Sequence, residues 1–313
     1  MDYKEISLND LNQKEIIEFS GVNNINIKLI NDLFKIDLLL RGHLIKVDCD
    51  KNTFLSLNKY LDALIEFVKI NHYLDENTIR QTYLSLCNNE DVSWHNKIAF
   101  ITSNGKPIKY KTYNQYRLAK SLEDNDLIFS IGPAGTGKTY LAVLLACKAY
   151  KNGDVKKIIL TRPAVEAGES LGFLPGDLKE KIDPYLMPLY DSLDDLLGKE
   201  QVSKMVERGA IEIIPLAYMR GRTLNDAFVI LDEAQNTTAG QMLMFLTRLG
   251  YNSKMIVNGD ISQIDLKIDK KYSGLVVAKE KLKNINKIAF VQFDKHDNVR
   301  NPLVEKIIEN YSI

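Results

Sequence analysis

From residue 126 onward, short apolar runs alternate with longer segments in which apolar residues recur every three or four positions. This alternation predicts strands connected by helices. Strands that are apolar almost throughout are typical of a parallel sheet covered on both faces. The predicted strands are residues 126–131, 157–161, 211–214, 227–231, 254–258 and 288–293. We therefore expect an α/β domain with a mainly parallel sheet over residues 126–313.

The first 95 residues follow a different pattern, which predicts a small α+β domain. The predicted strands are residues 15–20, 36–40 and 43–47, and the predicted helices are residues 23–34, 51–70 and 75–87, the last with Asp75 as its N-cap. Residues 96–125 are expected to form a linker. Within it, Asn104-Gly105 between apolar-rich flanks predicts a β-hairpin.

Composition narrows the class of protein. The 313 residues include 41 basic and 41 acidic side chains, so a globally basic nucleic-acid binder is not indicated, although a local basic patch remains compatible. The three cysteines, Cys49, Cys87 and Cys147, are widely spaced and suit reduced thiols. The sequence has neither the pattern of a signal peptide nor an apolar run of about 18 residues. We expect a cytoplasmic protein with no membrane span.

A glycine-rich segment after the strand at 126–131 is the first candidate site. It reads Gly132-Pro133-Ala134-Gly135-Thr136-Gly137-Lys138-Thr139 and precedes a predicted helix. The segment matches G-x-x-x-x-G-K-[ST] in the strand–loop–helix context that this phosphate-binding motif requires. Its backbone N–H groups would face the phosphates, Lys138 would reach the β- and γ-phosphates, and the Thr139 hydroxyl would bind Mg²⁺. All eight residues are predicted to bind a nucleotide.

Polar residues after two later strands complete the predicted chemistry. Asp232 and Glu233 follow the strand at 227–231, and the carboxyl ends of such strands are where ligands bind. Asp232 is predicted to hold Mg²⁺, and Glu233 to act as general base for the water that attacks the γ-phosphate. Gln263, beyond the strand at 254–258, is a candidate to contact the γ-phosphate or orient that water.

Two further kinds of residue leave alternatives open. Gln115 is a candidate to read the adenine edge and so select ATP, with an ordinary surface glutamine as the alternative. The pair Arg220 and Arg222, or Arg300, is a candidate arginine finger that stabilises transition-state charge, with a surface ion pair as the alternative. Arg300, or Arg248, is the candidate to reach the ATP of an adjacent subunit. We also expect three arginines to lie at strand ends on the same rim of the sheet. They are candidates for contacts with RNA or for contacts that couple ATP hydrolysis to a partner: Arg162, Arg220 and Arg222.

Longer motifs extend the pattern of the phosphate loop. They are residues 161–177, 218–224, 231–238 and 244–250, and in this order they resemble the PhoH-like protein family over about residues 100–313. The resemblance implies a single RecA-like ATPase core, a role in RNA metabolism, association with an rRNA-processing endoribonuclease, and ring-shaped homo-oligomers. The N-terminal domain resembles the KH-like module of longer members, without a clear G-x-x-G loop.

Two departures from the family pattern accompany the resemblance. Asn258 stands where the family usually has threonine, and Asn301 stands where it usually has histidine. We predict an ATPase that uses Mg²⁺ and is coupled to RNA metabolism, with Lys138, Glu233 and Arg300 among its catalytic residues. The alternative is an ATP-dependent switch with little intrinsic hydrolysis. A small-molecule kinase is disfavoured because a kinase must exclude the attacking water.

Overall fold

The computed structural model describes residues 3–163, 178–264 and 273–311. The chain divides into two compact units. One comprises Met1–Lys97 and Lys109–Tyr113, and the other comprises Ile98–Ile108 and Asn114–Ile313. The segment 96–125, which we expected to be a linker, therefore contributes residues to both units.

The first unit packs helices against a small sheet. Its elements are β1 (Lys4–Ser7), α1 (Gln13–Ser20), α2 (Ile25–Phe34), β2 (Leu38–Arg41), β3 (Leu44–Val47), α3 (Lys51–Asn71) and α4 (Glu76–Cys87). The strands pair antiparallel in the order β1-β3-β2. Phe19, Ile45 and Tyr60 are among the buried side chains of one apolar core that joins the sheet to the helices.

Residues 15–20, which we expected to be a strand, lie in helix α1 instead. Asn12 Oδ1 accepts a hydrogen bond from the N–H of Glu15 at 3.0 Å, and the Glu15 carboxylate accepts one from the N–H of Asn12 at 2.9 Å. This reciprocal pair is a capping box, which starts a helix just before the apolar run. The strand prediction was wrong because it considered the apolar run without the cap.

The junction after α1 depends on a buried amide. Asn26 is 6 % exposed, and its NH₂ group lies within hydrogen-bond distance of the carbonyl oxygens of Glu18, Phe19 and Leu74, at 3.2, 3.2 and 3.3 Å. One side chain thereby ties the end of α1 to the segment that precedes α4. Buried carbonyl groups need such donors, because an unsatisfied one destabilises the fold.

The second unit opens with the hairpin of β4 (Ile98–Ile101) and β5 (Pro107–Lys109). The remaining elements are α5 (Tyr113–Asp124), β6 (Leu127–Ile131), α6 (Lys138–Asn152), β7 (Lys157–Arg162), α7 (Leu178–Leu197), α8 (Lys199–Glu207), β8 (Ile211–Pro215), β9 (Ala227–Leu231), α9 (Ala239–Leu246), β10 (Lys254–Gly259), α10 (Gly274–Leu282), β11 (Ile288–Gln292) and α11 (Pro302–Tyr311). Each of the six predicted strands is present within one residue of its predicted ends.

Strands β6 to β11 form one parallel sheet, in the order β11-β6-β10-β9-β7-β8. Strand β10 separates β6, which leads into the phosphate loop, from β9, which leads into Asp232. This is the strand order of a RecA-like core, with β8 added at one edge, so the expected fold class is confirmed. Because parallel strands place their carboxyl ends on one edge, the loops after β6, β9 and β10 meet there. Within the described ranges, no helix has both the length and the hydropathy of a membrane span.

Candidate nucleotide-binding site

The phosphate loop folds back around the side chain of Lys138. Lys138 is 9 % exposed, and its ammonium group donates to the carbonyl oxygens of Gly132 and Pro133, each at 2.7 Å. Burial lowers the pKa of Lys138, and the nearby carboxylate of Asp260 opposes that shift. The lysine therefore lies inside the loop at the first residue of α6, where backbone N–H groups and the helix dipole favour phosphate.

Thr139 and Asp232 lie in contact, as their predicted shared role requires. Asp232 is 3 % exposed, and its Oδ1 accepts the Thr139 hydroxyl at 2.8 Å and the Asn258 amide at 3.4 Å. Burial raises the pKa of Asp232, and the neighbouring Glu233 adds to that effect. A buried carboxylate beside a hydroxyl offers the hard oxygen ligands that Mg²⁺ prefers, and a divalent cation would offset the cost of its burial. The residues present therefore fit Mg²⁺.

Glu233 occupies a different environment from its neighbour Asp232. Its side chain is 35 % exposed, and its carboxylate lies 3.5 Å from the guanidinium of Arg162 and accepts the amide of Gln235. Its backbone is left-handed, with φ 52°, which is costly for a residue other than glycine. Strain of this kind concentrates at functional sites. The two adjacent carboxylates are thus held apart, one buried and one open to solvent.

Asp260 is a site residue that the sequence analysis missed. Its Oδ2 accepts the N–H of Ala134 at 3.2 Å, and its own N–H donates to Gln235 Oε1 at 3.0 Å. The side chain thereby joins the loop after β10 to the phosphate loop, and the backbone N–H joins it to the loop after β9. Its place just beyond β10 was the signal that would have found it. Gln263 follows in the same turn and is exposed, with its N–H donating to the Asp260 carbonyl oxygen at 3.1 Å.

The segment after β11 packs directly on the phosphate loop of the same chain. The Val299 N–H donates to the Gly135 carbonyl oxygen at 2.9 Å. A Cβ added to Gly135 would lie 2.7 Å from Arg300 Cδ and 2.8 Å from Arg300 Nε. The charge of Arg300 adds to the effect of burial in lowering the pKa of Lys138. Arg300 therefore lies at its own phosphate loop, which favours a role within its own subunit; its reach to the ATP of a neighbour stays a prediction.

The start of α5 also contacts the phosphate loop. Gln115 is 6 % exposed, and its amide donates to the Thr136 carbonyl oxygen at 3.0 Å. The adjacent Asn114 donates to the buried carboxylate of Asp297 at 2.8 Å, which links α5 to the segment after β11. Gln115 is therefore not an ordinary surface glutamine. Its reading of adenine stays a prediction.

The other predicted arginines do not gather on one rim. Arg248 donates to the carbonyl oxygens of Met244 at 3.0 Å and Arg222 at 2.8 Å, so its guanidinium supports the local backbone. Arg222 pairs with Glu212 at 2.6 Å, and Glu212 is the second residue of β8, toward the amino ends of the strands. Arg162 lies at the carboxyl end of β7 beside Glu233, and Arg220 is exposed. The expectation of a shared rim was wrong. Most of the motif at 161–177 lies outside the described residues.

A parallel sheet with this strand order, a phosphate loop after β6 and a buried aspartate after β9 define a P-loop protein with a RecA-like core. A model of the PhoH-like protein family matches residues 107–312. The PhoH-like protein of Bacillus subtilis (strain 168) is 51 % identical over 304 residues, which cover 96 % of this chain and 95 % of that protein. The PhoH-like protein of Mycobacterium tuberculosis (strain ATCC 25618 / H37Rv) is 44 % identical over 299 residues, 95 % of this chain and 85 % of that protein. The chain belongs to the PhoH-like protein family.

Solved structures show more distant likeness. The large terminase from a thermophilic bacteriophage has a TM-score of 0.41 and 14 % identity, over 64 % of this chain and 50 % of that one. The Pif1 helicase from Candida albicans has a TM-score of 0.32 and 12 % identity, over 64 % of this chain and 44 % of that one. The assignment rests on the family match and the strand order, and these two likenesses add no argument to it.

Proposed function

We propose that this protein is an ATPase that uses Mg²⁺ and couples hydrolysis to RNA metabolism. The observation that carries the proposal is the convergence of Lys138, Thr139, Asp232 and Glu233 at the carboxyl edge of one sheet. A nucleoside triphosphate is the ligand that requires a phosphate-binding loop, a magnesium site and a partly exposed carboxylate together. Membership of the PhoH-like family supports the same interpretation.

Each residue has a distinct task in the proposed reaction. The backbone N–H groups of the phosphate loop and Lys138 bind the β- and γ-phosphates, and Thr139 and Asp232 hold Mg²⁺. When bound, Mg²⁺ supplies positive charge that neutralises the phosphate oxygens. Arg300, which lies against this loop, adds positive charge from within the subunit.

Glu233 is the proposed general base. Its carboxylate is partly exposed and is held by Arg162 and Gln235, so it is available to take a proton from the attacking water. Gln263 is proposed to orient that water or contact the γ-phosphate. Gln115 is proposed to read adenine. Because its amide already donates to the Thr136 carbonyl, base recognition at Gln115 would act directly on the loop.

The macromolecular part of the proposal rests on the family resemblance. We propose RNA as the partner nucleic acid, an rRNA-processing endoribonuclease as a protein partner, self-association of the chain, and a cytoplasmic location. The balance of 41 basic and 41 acidic residues favours a confined RNA-binding surface over a wholly basic face.

The test is steady-state ATP hydrolysis by the purified full chain, with and without structured ribosomal RNA. We expect RNA to increase turnover, and Lys138→Ala to abolish it under both conditions. Tight ATP binding with no hydrolysis, whether or not RNA is present, would instead support the ATP-dependent switch, in which bound nucleotide orders a partner-binding surface.

A further inference from the structure

Strand β10 ends in a buried amide beside the magnesium-binding aspartate. Asn258 is 1 % exposed, and its Nδ2 lies 3.4 Å from Asp232 Oδ1. That same oxygen accepts the Thr139 hydroxyl at 2.8 Å. Because β10 separates β6 from β9, Asn258 stands between the strand of the phosphate loop and the strand of Asp232. It is therefore placed to set the orientation of the Asp232 carboxylate.

The orientation of the Asn258 amide is fixed by its neighbour. Asp232 presents carboxylate oxygens, which accept hydrogen bonds, so the NH₂ group must face Asp232 and the carbonyl oxygen must face away. Asn258 Oδ1 is buried and accepts no hydrogen bond from any residue in the described part of the chain. A buried amide oxygen without a donor is rare in folded proteins and calls for an explanation.

We propose that Asn258 is a positioning residue of the magnesium–nucleotide site. Its NH₂ group orients Asp232 toward Thr139. The inference rests on the proposed function, because it assumes that Asp232 binds Mg²⁺.

Groups that orient a metal ligand affect metal affinity more than they affect the fold. Loss of such a group typically weakens metal binding by about 10- to 100-fold. Asn258→Leu has a similar shape and lacks both polar atoms. Ser130→Ala is the matched control, because Ser130 is the residue paired with Asn258 across β6 and β10 and is equally buried. The two variants remove polar atoms from adjacent buried positions, and only Asn258 contacts Asp232.

The experiment measures binding of a fluorescent ATP analogue to the full chain, first in EDTA and then during titration with Mg²⁺. For Asn258→Leu we expect unchanged affinity for the ATP analogue in EDTA. The Mg²⁺ concentration that gives half of the maximal change in analogue binding should increase about tenfold. Ser130→Ala should stay within about twofold of the wild type in both measurements. Equal Mg²⁺ dependence in Asn258→Leu and Ser130→Ala would overturn the proposal.

Two further results separate the possible failures. Asn258→Thr supplies a hydroxyl that can donate to Asp232 in place of the amide. Its Mg²⁺ dependence should therefore lie closer to that of the wild type than the Mg²⁺ dependence of Asn258→Leu does. If Asn258→Leu does not fold, a wild-type Mg²⁺ dependence in Asn258→Asp, which replaces the NH₂ donor with a second carboxylate oxygen beside Asp232, would overturn the proposal. If wild-type ATP binding does not respond to Mg²⁺ at all, the proposed function fails, and the inference fails with it.

Discussion

Arg300 lies against Gly135, although 165 positions separate the two residues along the chain. The N–H of Val299 holds the contact by donating to the Gly135 carbonyl oxygen at 2.9 Å. Any side chain at position 135 would meet Arg300 Cδ at 2.7 Å. The phosphate loop is thus shaped by its own sequence and also by the segment after β11, which makes that segment a structural part of the nucleotide site.

This contact predicts a specific cost for Gly135→Ala. Gly135 has φ 88° and Gly153 has φ 81°, so alanine at either position carries a similar backbone strain of about 1 kcal/mol. A Cβ on Gly153 meets nothing within 4 Å, whereas one on Gly135 displaces Arg300. We expect Gly135→Ala to weaken ATP binding by at least about tenfold, since a misplaced group in the site readily costs that much. Gly153→Ala should bind as the wild type does, and equal losses in the two variants would refute the argument.

The position of Arg300 also predicts the result of mixing two inactive variants. Arg300→Ala keeps an intact phosphate loop, and Lys138→Ala keeps Arg300. If Arg300 served a neighbouring subunit, a mixture of the two proteins would recover hydrolysis. Because Arg300 lies against the phosphate loop of its own chain, we expect no recovery at any mixing ratio. Restored turnover in the mixture would return Arg300 to the role of a finger acting between subunits.

Asn26 predicts a stability effect in the first unit. Asn26→Ala leaves the carbonyl groups of Glu18, Phe19 and Leu74 without their buried donor, which should lower the free energy of unfolding by about 2 kcal/mol. Asn58→Ala is the control, because Asn58 donates to the exposed side chain of Asp62 and its loss should cost less than about 0.5 kcal/mol. Urea unfolding of the full chain followed by circular dichroism would measure both values. A similar small effect in the two variants would show that the Asn26 bonds contribute little.

His95 predicts how stability depends on pH. It is 4 % exposed beside the rings of Phe67 and Trp94, and burial lowers its pKa to about 4 from the ordinary 6.5. Between these values the unfolded chain binds more protons than the folded chain, so stability rises with pH. The contribution of neutral His95 is complete above pH 6.5 and declines as the pH falls toward 4, by about 3 kcal/mol in total.

The control for this prediction is His95→Gln, which does not titrate. Its free energy of unfolding should change less than that of the wild type between pH 6.5 and pH 4, the two pKa values of the histidine. Parallel curves for the two proteins would mean that other groups control the acid sensitivity.

The sequence was informative wherever one local pattern determined one element. The strands of the large sheet are mostly apolar because both faces are covered, and the wholly apolar β9 was predicted to the residue. The prediction for residues 15–20 was wrong because the capping pair of Asn12 and Glu15, which starts helix α1, lies partly outside the apolar run. Asp260 and Ala134 are 126 positions apart, and only the pairing of β6 with β10 brings them together. Contacts of this kind depend on the strand order, which no local pattern encodes.

Glu233 carries the central claim, which is hydrolysis at this site. The most direct measurement is single-turnover hydrolysis of bound ATP by the wild type and by Glu233→Gln. Glu212→Gln is the control, because Glu212 is an ion-paired carboxylate at the other end of the sheet. We predict that Glu233→Gln binds ATP with wild-type affinity and hydrolyses it at least about a hundredfold more slowly, the usual contribution of a general base. A Glu233→Gln protein that hydrolyses ATP at the rate of Glu212→Gln would contradict this account.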